Sequence, residues 1–131
     1  MRIAQSLIDE IVEHAREDLP NECCGMVGGG DGGARTIYRA ENAEASPLRY
    51  SIDAKEQFRL MQTIEEAGEE LVGIYHSHTK SAAYPSQTDV NLAGWPDAVY
   101  LIASLADPEA PAVKGFWIRD GRIEETELDV A

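Results

Sequence analysis

The chain has 131 residues, 44% hydrophobic and 27% charged, a balance typical of one globular domain. Its 11 Lys and Arg residues against 24 Asp and Glu residues give a formal net charge of −13 at pH 7. A surface this acidic repels phosphate backbones and anionic lipid headgroups, which argues against binding to nucleic acid or to a membrane surface.

The cysteines and the N-terminal segment both indicate the cytoplasm. Cys23 and Cys24 are the only cysteines, and neighbours in sequence rarely bridge each other, so no disulfide framework is expected. No apolar signal-peptide core follows Met1, and apolar runs such as 98–105 are too short to span a bilayer. We therefore expect a cytoplasmic protein with a single domain over residues 1–131.

The first forty residues predict a helix followed by a β-hairpin. Apolar residues recur at helical spacing through 3–19, and Pro20 ends the pattern. Strand-like runs at 24–27 and 35–40 flank a glycine-rich segment at 28–33, which predicts a hairpin turn. No Gly-Lys-Ser/Thr follows these glycines and no helix opens after them, so they do not form a phosphate-binding loop.

The rest of the chain predicts one more long helix and a series of strands. Residues 48–52 look extended, and Asp53 is a suitable N-cap for a helix that reaches about Ala67. Residues 71–78 have the composition of a buried strand. Helices and strands alternate early and strands cluster late, which predicts a mixed α/β fold with one sheet flanked by helices. The remaining predicted elements are a loop and short helix at 85–94 and strands at 98–105, 113–119 and 122–130.

Two histidines on the predicted strand, His76 and His78, have the spacing of metal ligands. Residues at i and i+2 share one face of a strand with Cα atoms about 6.6–6.8 Å apart, so both rings can bind one ion at about 2.0–2.1 Å. Asp89, on the following helical turn, can supply a third ligand. This set leaves one tetrahedral position open, as in catalytic zinc sites. His-x-His alone also fits two half-buried histidines. We expect the third histidine, His14, at the surface or boundary of the first helix.

Two further polar residues are candidates for the chemistry. Ser86 and Asp89 also fit a local role, with Ser86 as a helix N-cap and the acid in the first turn. A zinc hydrolase needs a carboxylate to transfer the proton of its nucleophilic water. Glu22, which precedes the run at 24–27, is one candidate. The pattern alone does not separate it from the other acids, and a solvated Glu is the common alternative.

Together these residues resemble the motif of the JAMM (MPN-plus) metalloproteases. The motif is an upstream Glu (Glu22), then His-x-His (His76 and His78), seven residues, and Ser-x-x-Asp (Ser86 and Asp89). The resemblance covers essentially the whole chain. It implies a cytidine-deaminase-like α/β/α fold with a central curved mixed sheet flanked by helices. It also implies that the two histidines and Asp89 bind Zn²⁺, that Glu22 is the general acid/base, and that Ser86 donates to the developing oxyanion.

Other segments resemble the bacterial branch of this family that hydrolyses a sulfur-carrier-protein–cysteine adduct. That resemblance implies a ubiquitin-like carrier with a Gly-Gly C-terminus as the partner, and free cysteine as a product. Arg49 and Tyr50 are candidates to line the groove for the carrier's extended tail. Cys24 is a candidate lining residue, although a small buried hydrophobe is the commoner role for a free Cys. The matching residues are 20–25, 42–43, 46–47, 50, 74–79, 83–86 and 88–90.

Three other functions remain as alternatives. The shared motif also fits a general isopeptidase that removes ubiquitin-like modifiers from lysine. A metal-free or structurally metallated interaction module would require that an intact set of ligands and an intact base be vestigial. A nucleoside deaminase is disfavoured, because the chain lacks the Pro-Cys-x-x-Cys ligand pair and its two cysteines are adjacent.

Overall fold

The computed structural model describes all 131 residues and contains eight strands and three helices. None of the helices is both long enough and apolar enough to cross a membrane. In chain order the elements are β1 (Arg2–Ile3), α1 (Gln5–Glu17), β2 (Cys24–Gly30), β3 (Gly33–Ala40), α2 (Ala54–Glu66), β4 (Glu70–His78), α3 (Gln87–Leu92), β5 (Val99–Ser104), β6 (Ala112–Arg119), β7 (Arg122–Thr126) and β8 (Asp129–Val130).

All eight strands form one mixed sheet, in the order β7-β6-β5-β4-β2-β3-β1-β8. The central strand β4 runs parallel to β5 and antiparallel to β2. Residues of α1 pack on one face of the sheet, whereas residues of α2 and α3 pack on the other. The structure therefore confirms the mixed sheet flanked by helices that the sequence and the resemblance predict.

Strand β4 is buried on both faces because helices cover both sides of the sheet. Tyr75 packs with Ile11 of α1, and its neighbour Ile74 packs on the opposite face with Tyr100 and Phe116. Every residue from Gly73 to the end of β4 is buried. Since side chains alternate along a strand, His76 and His78 lie on the face of Ile74, under α2 and α3.

Two elements differ from their prediction, and long-range pairing explains both. The helix predicted from residue 3 begins at Gln5, because Arg2 and Ile3 form a strand that pairs with Asp129 and Val130. The same pairing divides the predicted strand 122–130 into β7 and β8. Residues 48–52 belong to no strand of the sheet, and the carbonyl of Ser51 accepts from the N–H of Ala43 at 2.9 Å. The hairpin is confirmed, with its turn at 31–32.

The expected surface position of His14 is wrong. Its side chain is buried on the α1 face of the sheet, and its Nδ1 shares a 2.7 Å hydrogen bond with the hydroxyl of Tyr75. Its Nε2 lies 3.3 Å from a carboxylate oxygen of Asp18. Burial lowers the pKa of His14, against the opposing effect of Asp18. This polar group faces away from His76 and His78 and takes no part in their site.

Candidate metal centre and active site

The C-terminal end of β4 places two imidazoles side by side. His76 and His78 are both buried, and their Nε2 atoms are 3.2 Å apart. The Nδ1–H of His78 donates to the carbonyl of Ala82 at 2.8 Å, which fixes the tautomer and directs the lone pair of Nε2 at the site. A second bond of this kind is a common way to orient a metal-binding histidine.

The third donor comes from the first turn of α3. Ser86 is the N-cap of this helix: its Oγ accepts from the N–H of Asp89 at 3.0 Å, and its own N–H donates to Oδ2 of Asp89 at 2.9 Å. This capping box holds the carboxylate in one orientation. Oδ2 of Asp89 then lies 3.1 Å from Nε2 of His76 and 3.0 Å from Nε2 of His78. The structure therefore confirms the capping role of Ser86, and the same capping box places the carboxylate of Asp89 against the two imidazoles.

These three donors suit a small divalent cation. Two imidazole lone pairs and a carboxylate meet at 3.0–3.2 Å, and this arrangement needs protons or a cation between them. Ligands about 2.0–2.1 Å from a tetrahedral ion are separated by roughly 3.3 Å. The residues of the site, His76, His78 and Asp89, thus fit a zinc-sized ion.

The pKa shifts of the three groups favour an ionised carboxylate beside the two imidazoles. Burial lowers the pKa of His76, and the bond with Asp89 only partly offsets this. Burial acts in the same direction on His78, but the bonds with Asp89 and Ala82 outweigh it and raise its pKa. For Asp89 burial alone would raise the pKa, yet the bonds with the two imidazoles prevail and hold it well below its usual range. The carboxylate therefore stays ionised at neutral pH.

Glu22 is a buried carboxylate beside this site. It is 4% exposed, and its Oε1 has no hydrogen-bond partner in the protein. Burial raises the pKa of Glu22 from its usual 4.5 to about 7, with Asp89 adding to the effect and His78 opposing it. A carboxyl group with a pKa near neutrality can both accept and return a proton at the operating pH of the cell.

A cleft of about 460 Å³ brings these groups together at the surface. Its lining includes Glu22, His78 and the exposed Ser86, with Pro47 and Leu48 on one side. The Ser86 hydroxyl uses an oxygen lone pair for the cap of α3, so its O–H remains a donor toward the cleft. The cleft thus holds one histidine of the candidate metal centre, one carboxylate and one hydroxyl donor at the same opening.

The three residues expected to contact substrate lie in different environments. Arg49 is exposed on the loop beside the cleft. The ring of Tyr50 stacks on His76, with centroids 4.4 Å apart and an interplanar angle of 20°. Cys24 pairs across the sheet with His76, but it is fully buried with Met26 and other residues under α2, so its sulfur is not exposed in the cleft. Helix α2 covers that position, which the sequence pattern does not show.

The stack between Tyr50 and His76 predicts that Tyr50 orients this candidate metal ligand. Nδ1 of His76 is buried without a hydrogen-bond partner, so Tyr50 supplies the contact that orients this ring. We expect Tyr50→Phe to keep the zinc affinity of the protein and Tyr50→Leu to lower it about 10-fold, the lower end of effects seen for groups behind metal ligands. Competition titration with a zinc chelator measures both variants, and equal affinities would contradict the prediction.

The family model for prokaryotic homologs of the JAB domain matches residues 4–119. With the α/β/α fold and the cluster of His76 and His78 at the end of β4 with Asp89 of α3, the match defines a hydrolase of the JAB/MPN class. The chain belongs to the prokaryotic JAB-domain family, which confirms the resemblance to the JAMM metalloproteases.

Individual relatives and solved structures agree with this assignment. The chain is 42% identical over 130 residues to the CysO-cysteine peptidase of Mycobacterium tuberculosis, covering 98% of this chain and 89% of that protein. It is 40% identical over 139 residues to the desampylase of Haloferax volcanii, with coverages of 100% and 95%.

Among structures, protein DSY2949 from Desulfitobacterium hafniense superimposes with a TM-score of 0.91 at 35% identity, covering 99% of this chain and 92% of that one. A structure described as a metalloprotease-like zinc site in the proteasome and signalosome shares the fold at a TM-score of 0.61 and 20% identity, covering 100% and 97%.

Proposed function

We propose that this protein is a zinc-dependent hydrolase that cleaves the amide bond between the Gly-Gly C-terminus of a ubiquitin-like sulfur-carrier protein and cysteine, releasing free cysteine. The observation that carries the proposal is the convergence of His76, His78 and Asp89, together with a buried carboxylate, Glu22, that lines the same cleft as His78. The similarity to the CysO-cysteine peptidase supports the choice of substrate.

The proposed reaction divides the chemistry among few groups. Zinc held by the two histidines and Asp89 would supply Lewis acidity toward the scissile carbonyl and acidify water. Glu22 takes a proton from the attacking water and returns it to the leaving amine, which a pKa near 7 permits. The Ser86 hydroxyl donates to the oxygen on which negative charge develops. In these roles Glu22 and Ser86 are catalytic residues. The proposed metal ligands lie in strand β4 and helix α3.

The carrier's tail is proposed to reach the site along the loop that contains Arg49 and Tyr50. An extended Gly-Gly segment has no side chains and fits a narrow passage, and its backbone groups supply the hydrogen bonds. The exposed Leu48, on the same loop, lines the cleft and is 81% accessible. A cysteine leaving group is small, so the remainder of the cleft has only one amino acid to accommodate.

A second candidate function is that of a general isopeptidase acting on lysine-linked ubiquitin-like modifiers. The observation in its favour is the 40% identity to a desampylase over the full chain. Both functions use the same metal ligands and the same carboxylate, so only the leaving amine distinguishes them. The shape of the cleft is compatible with either a cysteine or a lysine as the leaving amine.

Two substrates tested in parallel separate these functions. The first is a ubiquitin-like carrier ending in Gly-Gly-Cys through an ordinary amide, and the second is the same carrier joined through its Gly-Gly end to a lysine side chain of another protein. Each is incubated with zinc-loaded enzyme and analysed by intact mass. We expect the first to lose one cysteine while the second stays intact. Comparable cleavage of both would favour the isopeptidase.

Two variants serve as blank and control for this experiment. Glu22→Gln removes the proposed base, and Glu65→Gln makes the same chemical change at an exposed position of α2. We expect the Glu65 variant to behave as the wild type. If zinc is bound and neither substrate is cut, the substrate class is wrong. If no metal binds at all, the interaction module becomes the better interpretation.

A further inference from the structure

We propose that Asn42 is a positioning residue that fixes both the general base and one wall of the cleft. The inference rests on the proposed function only in assigning Glu22 its catalytic role. Asn42 is 7% exposed and lies at the start of a loop, residues 43–51, which we term the cleft loop because Pro47 and Leu48 line the cleft. Its side chain makes no hydrogen bond to His76, His78 or Asp89, so it acts on the site through other residues.

Both the nitrogen and the oxygen of the Asn42 side-chain amide form hydrogen bonds. Its Nδ2 donates to the carbonyl of Glu22 at 2.9 Å and to the carbonyl of Arg49 at 3.0 Å. Its Oδ1 accepts from the N–H of Glu44 at 3.0 Å and from the N–H of Ser51 at 3.3 Å. Only a side-chain amide offers two donors and an acceptor oxygen on one short planar group. The side chain therefore closes the cleft loop on itself and attaches it to Glu22.

Glu22 depends on this attachment because it lies outside the sheet. Strand β2 begins at Cys24, so the ladder of the sheet supplies no bond to Glu22. Its N–H donates instead to the carbonyl of Ser46 at 2.9 Å, and its carbonyl accepts from Asn42. Both main-chain polar groups of the base are thus bound by the cleft loop or by the residue that organises it.

The other side of the cleft loop is held at the end of β4. The hydroxyl of Thr79 donates to the carbonyl of Pro47 at 3.3 Å. This bond lies one residue beyond His78, the last residue of the strand. The loop therefore spans from the base to the metal ligands, and Asn42 is the buried group that fixes its shape.

The substitution Asn42→Asp tests the hydrogen bonds that Nδ2 of Asn42 donates to the carbonyls of Glu22 and Arg49. The carboxylate keeps an acceptor for Glu44 and Ser51 but places an oxygen against the carbonyls of Glu22 and Arg49, where no hydrogen bond forms. Because a shift of about 1 Å in a catalytic group can cost 100-fold in rate, we expect kcat for the Gly-Gly-Cys carrier to fall 10- to 100-fold. KM rises less than 10-fold, and zinc affinity is unchanged, because no metal ligand is bonded to Asn42.

Hydrogen exchange supplies a readout that does not depend on activity. In Asn42→Asp we expect the amide of Glu22 and the amides of residues 43–51 to exchange faster, while amides of β2 and β4 keep their protection. The matched control is Asn91→Asp, which makes the same change at an exposed position of α3 where Oδ1 bonds only to Gln87. This control should match the wild type in kcat, zinc affinity and exchange.

Three results would overturn the inference. These are unchanged exchange at Glu22, a change in KM without a change in kcat, and a loss of kcat matched by an equal loss of zinc affinity. Failure of the proposed function would appear differently, as a wild-type enzyme that cuts neither carrier substrate. In that event the exchange of the Glu22 amide still decides whether Asn42 positions this residue.

Discussion

Zinc binding should fall by roughly 100- to 1,000-fold in Asp89→Asn, and hydrolysis should be lost with it. The carboxylate is one of three donors that meet at 3.0–3.2 Å. Structural zinc sites with four ligands bind with about 10–16 kcal/mol, so one charged ligand accounts for several kcal/mol, and each 1.4 kcal/mol is a factor of ten. Isothermal titration or chelator competition measures the affinity, and intact mass measures hydrolysis.

The substitution is chosen because it separates metal binding from helix capping. An Asn side chain still presents an oxygen to the N–H of Ser86, so α3 keeps the acceptor half of its capping box. The matched control is Asp53→Asn, at the N-cap of α2, where the carboxylate accepts from the N–H of Lys55 at 3.1 Å and contacts no candidate ligand. Equal zinc affinity in Asp89→Asn and Asp53→Asn would exclude Asp89 as a ligand.

The parts of this site that the sequence predicts are those encoded by local spacing. His76 and His78 share a face because side chains alternate along a strand, and Ser86 and Asp89 are three residues apart because a capping box requires that distance. Such relations need no knowledge of the tertiary fold. The assignment of Glu22 needs more, because 54 residues separate it from His76 and only the family motif connects them.

The parts that sequence does not predict depend on contacts between distant segments. Asn42 was part of the matching segments, yet its role follows only from bonds to Glu22 and to the cleft loop. The stack of Tyr50 on His76 joins a loop to a strand 26 residues away in sequence. The burial of His14 likewise depends on Tyr75, across the packing of α1 on the sheet. Local periodicity carries no information about such pairs.

Glu22→Gln should lower kcat by about 100- to 10,000-fold while zinc affinity stays close to that of the wild type. General acid–base catalysis contributes about that factor, and the amide is nearly isosteric but cannot carry the proton. Because the pKa of Glu22 is raised to about 7, the wild-type rate should fall as the pH drops through this region. Glu65→Gln is the control, and retention of more than a tenth of the wild-type kcat in Glu22→Gln would exclude Glu22 as the base.

The same substitution should stabilise the protein after zinc has been removed by a chelator. Burial raises the pKa of Glu22 from 4.5 to about 7, so between these values the folded state binds more protons than the unfolded state. By linkage the free energy of unfolding then falls as the pH rises through this window. Gln carries no charge and so bears no such cost, and at pH 8 we expect Glu22→Gln to be more stable by about 3 kcal/mol.

Denaturant titration at pH 8 and at pH 4.5 measures this effect. The difference between Glu22→Gln and wild type should be much smaller at the lower pH, where Glu22 is protonated in the folded state and about half protonated in the unfolded state. Glu65→Gln should show no such trend, because its side chain is exposed. If Glu22→Gln is no more stable than the wild type at pH 8, the ionised carboxylate does not lower the free energy of unfolding. If Glu22→Gln is more stable than the wild type but inactive, the buried carboxylate of Glu22 serves activity and lowers the stability of the folded state.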